Sequence, residues 1–263
     1  MAAAFLRDLE KTASRNDSWL CVGLDPDVTV QDLFDFNQRI ISATLDQVCC
    51  FKVNTAFYEA RGPAGVEALI ETVQYIKQFV RVPVIVDAKR ADVAHSSMAH
   101  AKYVYEIVGG DAVTVSPYMG LDAIAPFVER RNKGVFVLCK TSNAGAAEIQ
   151  NLSCADPLYQ VIAKKVSEWN VHGNLGLVVG ATQENELKTV RAIVGQDVPL
   201  LIPGVGSQGG DLQKAVASGM NAYGRLGIFA VSRDVIFAKS PHKMAAEFRN
   251  GINAFRGHSN VSV

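Results

Sequence analysis

Short apolar runs of strand length recur along the chain at residues 19–24, 48–53, 83–86, 112–115, 135–139, 175–179, 199–202 and 226–231. They are rich in Val, Ile, Leu and Phe and lack the strict polar alternation of a half-exposed strand. That is the pattern of parallel strands covered on both faces. Between them apolar residues fall at helical spacing, as in Val66, Leu69, Ile70, Val73 and Ile76, or Leu158, Ile162, Val166 and Trp169. Eight alternations of strand and helix predict an α/β chain that closes into a barrel. An open doubly wound sheet would produce a similar alternation, so the count of eight is the argument for closure.

The chain has 263 residues, within the usual range for one such barrel. No low-complexity linker or shift in composition divides it, so one domain over residues 1–263 is expected. The longest connection, residues 140–174, has room for an active-site loop before its helix. The tail after Phe255 is expected to fray. Lys and Arg number 26 and so do Asp and Glu, giving a formal net charge of zero, which argues against a nucleic-acid or membrane-surface binder. Charged residues make up 20%, a low share that hints at a subunit interface. Five cysteines, Cys21, Cys49, Cys50, Cys139 and Cys154, show no C-x-x-C spacing. Disulfides and structural zinc are therefore not expected, and with no apolar run long enough for a membrane span the reading is cytoplasmic.

In a barrel, reactive groups belong at the C-terminal ends of the strands. The first run ends in Gly-Leu-Asp25-Pro, the second holds Lys52, and the third leads into Asp87-Ala-Lys89-Arg-Ala-Asp92. Alternation along an extended chain puts Asp87 and Lys89 on one side, toward the barrel mouth if Val86 and Ala88 face the helices. Alone, Asp-x-Lys also describes an ordinary strand-end ion pair; Asp25, Lys52 and Asp92 on adjacent rims favour chemistry. After the seventh run, Pro203-Gly-Val-Gly-Ser-Gln208-Gly-Gly-Asp211 is a glycine-rich turn into a helix, where backbone N–H groups can approach an anion. The eighth run leads into Ser232-Arg233-Asp234, which places a guanidinium beside that turn. This arrangement predicts a phosphorylated substrate. Arg233 is preferred over Arg225, which precedes the last strand instead of ending it.

His95, His100, His172, His242 and His258 lack metal-ligand spacing, and His95 and His100 fall in a predicted helix. No metal site is assigned. The sequons at Asn151 and Asn260 are taken as chance matches.

The segments CVGLDPD, FKVNTAFYEA, VDAKRAD, DAVTVSPYMGLDAIAPF, LCKTSNAGAAEIQ, GLVVGAT, PLLIPGVGSQGGD and AVSRDVI, in this order, resemble the orotidine 5′-phosphate decarboxylase family, in its longer bacterial branch. The likeness extends over nearly the whole chain. It implies a homodimeric (β/α)8 TIM barrel that converts orotidine 5′-monophosphate to UMP and CO2 in pyrimidine biosynthesis, without metal or organic cofactor. By position in the motifs, Lys52, Asp87 and Lys89 match the family's charged network, and Asp92 matches the acid lent across the dimer interface. Asp25 and Lys52 match ribose contacts, and Ser142 matches the pyrimidine contact. Gln208 and Arg233 match the phosphate grip, with Pro203 also among the substrate contacts. Two positions depart from the family pattern. Ala91 stands where Gly is usual, acceptable if the backbone there does not need a positive φ. Ser96 replaces the usual Thr of the partner-subunit hydroxyl, keeping the donor and losing a methyl group.

The implied chemistry leaves a carbanion at C6, in the ring plane where the π system cannot delocalise it. Lys89, flanked by Asp87 and Asp92, is the candidate to stabilise that charge and deliver the proton. Repulsion between Asp87 and the departing carboxylate is a secondary contribution. Gln208 and Arg233 are expected to couple phosphate binding to closure of the 204–211 loop. Two other readings compete. One is a Mg²⁺-dependent sugar-phosphate decarboxylase resembling 3-keto-L-gulonate 6-phosphate decarboxylase, which shares the D-x-K-x-x-D spacing. The other is a non-catalytic nucleotide or phosphosugar sensor, against which the intact charged array argues.

Overall fold

A computed structural model describes residues 3–153, 155–206 and 209–256. Eight parallel strands close into a barrel in sequence order: β1 (Leu20–Gly23), β2 (Cys50–Asn54), β3 (Val84–Arg90), β4 (Ala112–Val115), β5 (Gly134–Lys140), β6 (Leu175–Val179), β7 (Leu200–Pro203) and β8 (Gly227–Val231). Closure rests on β8 pairing with β1 through Leu20↔Phe229, Cys21↔Ala230 and Val22↔Val231. The open-sheet alternative is thereby excluded. Every predicted apolar run holds a strand; β3 and β5 extend past their runs to Arg90 and Lys140 because charged residues at their ends still pair with the neighbouring strand.

The helices are α1 (Ala4–Asn16), α2 (Leu33–Thr44), α3 (Thr55–Glu59), α4 (Gly62–Tyr75), α5 (Ala94–Lys102), α6 (Leu121–Val128), α7 (Ala146–Gln150), α8 (Leu158–Trp169), α9 (Glu184–Val194), α10 (Leu212–Gly219), α11 (Arg233–Ile236) and α12 (Pro241–Phe255). Each strand is buried on both faces by the helical ring and the barrel interior, which explains the unbroken Val/Ile/Leu runs. Helix α4 is prolonged by a wider turn at Ile76–Val80, and α5 by another at Tyr103–Ile107.

Helix α1 was not anticipated by the strand–helix alternation. It buries Phe5, Leu6, Leu9 and Ala13, one apolar face at helical spacing, against the N-terminal end of the barrel. Phe5 packs edge-on to Phe136 with ring centroids 5.9 Å apart. A Cβ on Gly134 would lie 2.4 Å from the Phe5 ring, so this strand start has to be glycine for the helix to dock. Arg225 pairs with Glu10 of α1 at this end, which confirms that it is remote from the barrel mouth.

Cys21, Cys49, Cys50 and Cys139 are buried free thiols, and Cys154 lies outside the described residues. So do His258, Asn260 and the rest of the tail beyond residue 256. Among the described residues no helix is long and apolar enough to cross a membrane.

Candidate active site

The C-terminal mouth of the barrel holds a cavity of about 810 Å³. Its floor is set by an irregularity in β3. The β3–β4 register runs Ile85↔Ala112 and Val86↔Val113, then resumes at Arg90↔Val115, so Asp87, Ala88 and Lys89 face the single residue Thr114. This is a bulge. Lys89 takes up the excess chain in the left-handed region, at φ +48°, where a branched or long side chain is rarely found. Asp87 and Lys89 do both line the cavity, as their spacing suggested. Val86 before them and Ala88 between them are buried, as that alternation requires, while the register against β4 breaks at the same residues. The left-handed residue in this segment is Lys89 and not Ala91, so the alanine at that position carries no backbone strain.

Four charges meet on the floor. Lys52 Nζ lies 3.4 Å from Asp25 Oδ2 and 3.4 Å from Asp87 Oδ2, and all three side chains are largely buried. Lys89 Nζ donates to Asp87 Oδ1 at 2.8 Å. Asp25 Oδ1 also accepts the Asn54 N–H at 3.1 Å, which ties the end of β1 to the end of β2. Behind it Tyr58 donates to the Leu24 carbonyl at 2.8 Å and accepts from Asn37, so Asp25 is held from both sides of the strand end.

Burial alone would discharge Lys52, but the Asp25 and Asp87 carboxylates outweigh it and hold the ammonium above the ordinary lysine range. Burial also opposes ionisation of Asp87. The Lys52 and Lys89 charges, with hydrogen bonds from Lys89 and Thr114, overcome this and bring its pKa down to about 2. Lys52 and Asp87 are therefore both ionised at neutral pH.

The wall after β5 is a clasped loop. Gln150, the last residue of α7, accepts the Thr141 N–H at 2.9 Å and donates to Thr141 Oγ1 at 2.8 Å. One residue on at each end, Lys140 Nζ donates to Asn151 Oδ1 at 2.8 Å. Ser142 stands beyond this clasp and lines the cavity. It packs directly on Gly180, where a Cβ would come within 2.8 Å of the Ser142 Cβ. The opposite wall is formed by Pro203, the glycine turn and Arg233. Gly204 and Gly206 both have positive φ, at 98° and 83°, so this turn needs glycine. A Cβ on Gly206 would collide with the Asp234 carboxylate. Arg233 lines the cavity, and among the described residues no carboxylate forms an ion pair with it.

Of the residues singled out in the sequence, Asp25, Lys52, Asp87, Lys89, Ser142, Pro203 and Arg233 line this one cavity. Asp92 and Ser96 do not. Asp92 sits in the turn after β3 with its carboxylate on the Val93 N–H at 2.7 Å, and Ser96 is half-buried on α5. Gln208 lies outside the described residues. None of the described histidines lines the cavity; His95 and His100 are in α5 as expected. Among the described residues no group of three or more His, Cys, Asp or Glu is placed to hold a metal ion.

Sequence reasoning missed Thr114, Asn54, Thr141 and Gln150. Thr114 had a signal: a hydroxyl in a strand otherwise buried on both faces must find a partner, and here the partner is Asp87.

Comparison with known proteins agrees with this geometry. Residues 18–248 match the model of the orotidine 5′-phosphate decarboxylase / HUMPS family. The orotidine 5′-phosphate decarboxylase of Dehalococcoides mccartyi is 43% identical, over 96% of this chain and 98% of its own. That of Ralstonia pickettii is 42% identical, over 96% and 99%. Among solved structures, Leishmania donovani OMP decarboxylase superposes with a TM-score of 0.89 at 37% identity, covering 96% of this chain and 98% of that one. Leishmania donovani UMP synthase gives a TM-score of 0.92 at 38% identity, and there the match spans 57% of the longer chain. With the charged floor at the mouth of a (β/α)8 barrel and relatives matched end to end, this chain belongs to the orotidine 5′-phosphate decarboxylase family.

Proposed function

We propose that the cavity binds orotidine 5′-monophosphate with its pyrimidine toward Ser142, its ribose toward Asp25 and Lys52, and its phosphate toward Arg233 and the glycine turn. The observation that carries this reading is the Asp25–Lys52–Asp87–Lys89 array on the cavity floor, with Arg233 lining the same cavity. The C6–carboxylate bond breaks, CO2 leaves, and the electron pair stays on C6. Lys89 stabilises that charge through its ammonium and then transfers a proton to C6, yielding UMP. Asp87, itself paired with Lys52, holds the Lys89 ammonium, and Lys52 and Asp87 are already ionised before substrate arrives, so little reorganisation accompanies the reaction. No metal or organic cofactor takes part in this scheme.

A second copy completes the site. Asp92 and Ser96 lie off their own cavity, and the surface around them exposes Val93, Met98, Tyr118, Met119 and Leu121. Such an apolar rim suits a homodimer interface through which Asp92 reaches the neighbouring floor. The reading places the enzyme in the cytoplasm.

The test is the loss of orotidine 5′-monophosphate absorbance with purified protein in EDTA, alongside Lys89→Ala. Metal-independent conversion to UMP, abolished in the variant, is expected. Binding without turnover would favour a sensor, and activity regained only with Mg²⁺ would favour sugar-phosphate substrates.

A further inference from the structure

The bulge that carries Lys89 leaves a backbone N–H opposite a single β4 residue, and that residue answers it with its side chain. The Lys89 N–H donates to Thr114 Oγ1 at 3.0 Å, and the same hydroxyl donates to Asp87 Oδ1 at 2.7 Å. Asp87 Oδ1 thus accepts both the Thr114 hydroxyl and the Lys89 ammonium, leaving Oδ2 to Lys52. Thr114 itself is 1% exposed. One hydroxyl therefore fixes both ends of the Asp87–Lys89 pair: the carboxylate by donating, and the left-handed backbone beneath the lysine by accepting.

We infer that Thr114 is a positioning residue for the reaction, holding the β3 bulge so that the Lys89 ammonium is aimed into the cavity. The inference rests on the decarboxylase reading for its kinetic consequence, but not for its structural one. The hydroxyl is the one side-chain group of β4 that meets both the Lys89 N–H and the Asp87 carboxylate. Without it the Lys89 N–H has no β4 carbonyl in register to turn to, and the φ +48° backbone loses the bond that offsets its strain. Asp87 would keep its lysine partners, so substrate would still meet a charged floor. What is lost is the direction of Lys89, which matters in the transition state more than in binding.

The experiment compares wild type, Thr114→Val and Thr114→Ser. Valine keeps the branched shape and removes the hydroxyl; serine keeps the hydroxyl and removes the methyl group. Amide hydrogen exchange read by NMR is expected to show the Lys89 N–H exchanging at least about tenfold faster in the valine variant and near the wild-type rate in the serine variant. In steady-state turnover of orotidine 5′-monophosphate, kcat should fall by about tenfold or more with valine while KM stays within about threefold, and serine should restore kcat. Unchanged Lys89 protection in the valine variant, or a serine variant as impaired as valine, would overturn the inference. If the wild-type protein fails to turn over this substrate, the decarboxylase reading falls, and the exchange comparison still decides the role of Thr114.

Discussion

Lys52 on β2 pairs in register with Ile85 on β3, and its side chain climbs one layer to meet Asp87 Oδ2 at 3.4 Å. With Asp25 at the same distance on its other side, Lys52 is a buried cation between two buried anions. Removing one partner of such a set costs more than the set contributes, because the remaining charges stay desolvated and unpaired. Lys52→Met is therefore expected to destabilise the fold by on the order of 3 kcal/mol, read from urea denaturation. The double variant Asp25→Asn/Lys52→Met should recover part of that loss, since it leaves one fewer orphaned charge. Simply additive losses would show that the two groups are not coupled.

Acid should unpick the floor from Asp87. Its folded-state pKa of about 2 lies below the ordinary 3.8. The unfolded chain therefore binds this proton first, and the stabilisation is present above about pH 4 and lost as the pH falls toward 2. The difference corresponds to on the order of 2 kcal/mol. Lys52 is shifted the opposite way, so its contribution is complete below about pH 10 and lost only as the pH rises beyond. Denaturation midpoints measured from about pH 5 down to pH 2 should fall less steeply for Asp87→Asn than for wild type. Parallel curves would mean that another carboxylate controls the acid limb.

The strands were legible because parallel strands buried on both faces leave long apolar runs. The rim charges were legible because a barrel opens its C-terminal mouth to solvent at the residues just past each run. Other features left weaker traces. Lys89 adopts a left-handed backbone without being glycine or asparagine, and nothing in its type announces a bulge. Thr114 hid inside an apolar strand. The Gln150–Thr141 clasp joins residues nine apart across a loop whose path only the fold defines. Helix α1 carried a clear apolar face but lies outside the repeating strand–helix unit, so counting alternations passed over it. Asp92 looked like a fifth member of the same rim, yet the turn after β3 carries it away from its own floor; only the family resemblance gave it a role in a second copy.

That role has a direct test by subunit mixing. On the proposed reading, Lys89→Ala disables the floor of its own chain, and Asp92→Asn disables the floor of the neighbour. Each variant alone should be inactive. After the two are mixed and reassorted at random, half the dimers are hybrids, and each hybrid has one site with neither change and one with both. Activity should return to about a quarter of the wild-type value. No recovery, with hybrids confirmed by native mass spectrometry, would mean that each chain uses its own Asp92.

Arg233 is the far pole of the cavity, at the end of β8 beside a turn whose Gly204 and Gly206 adopt positive φ. A phosphate held there is remote from the reacting carbon, so its binding energy helps catalysis only if it orders the turn and completes the charged floor. On the proposed reading, Arg233→Ala removes a charge-assisted contact with the phosphate and leaves Lys52, Asp87 and Lys89 untouched. For orotidine 5′-monophosphate, kcat/KM should fall by about a hundredfold. For orotidine, which lacks the phosphate, the slow turnover should change by less than about threefold, because the contact removed was never made. Adding inorganic phosphite alongside orotidine should accelerate wild type and leave the variant unmoved, since a free dianion can occupy the same pole. Equal losses on both substrates would mean that Arg233 supports the fold of the barrel mouth and does not convert phosphate binding into catalysis.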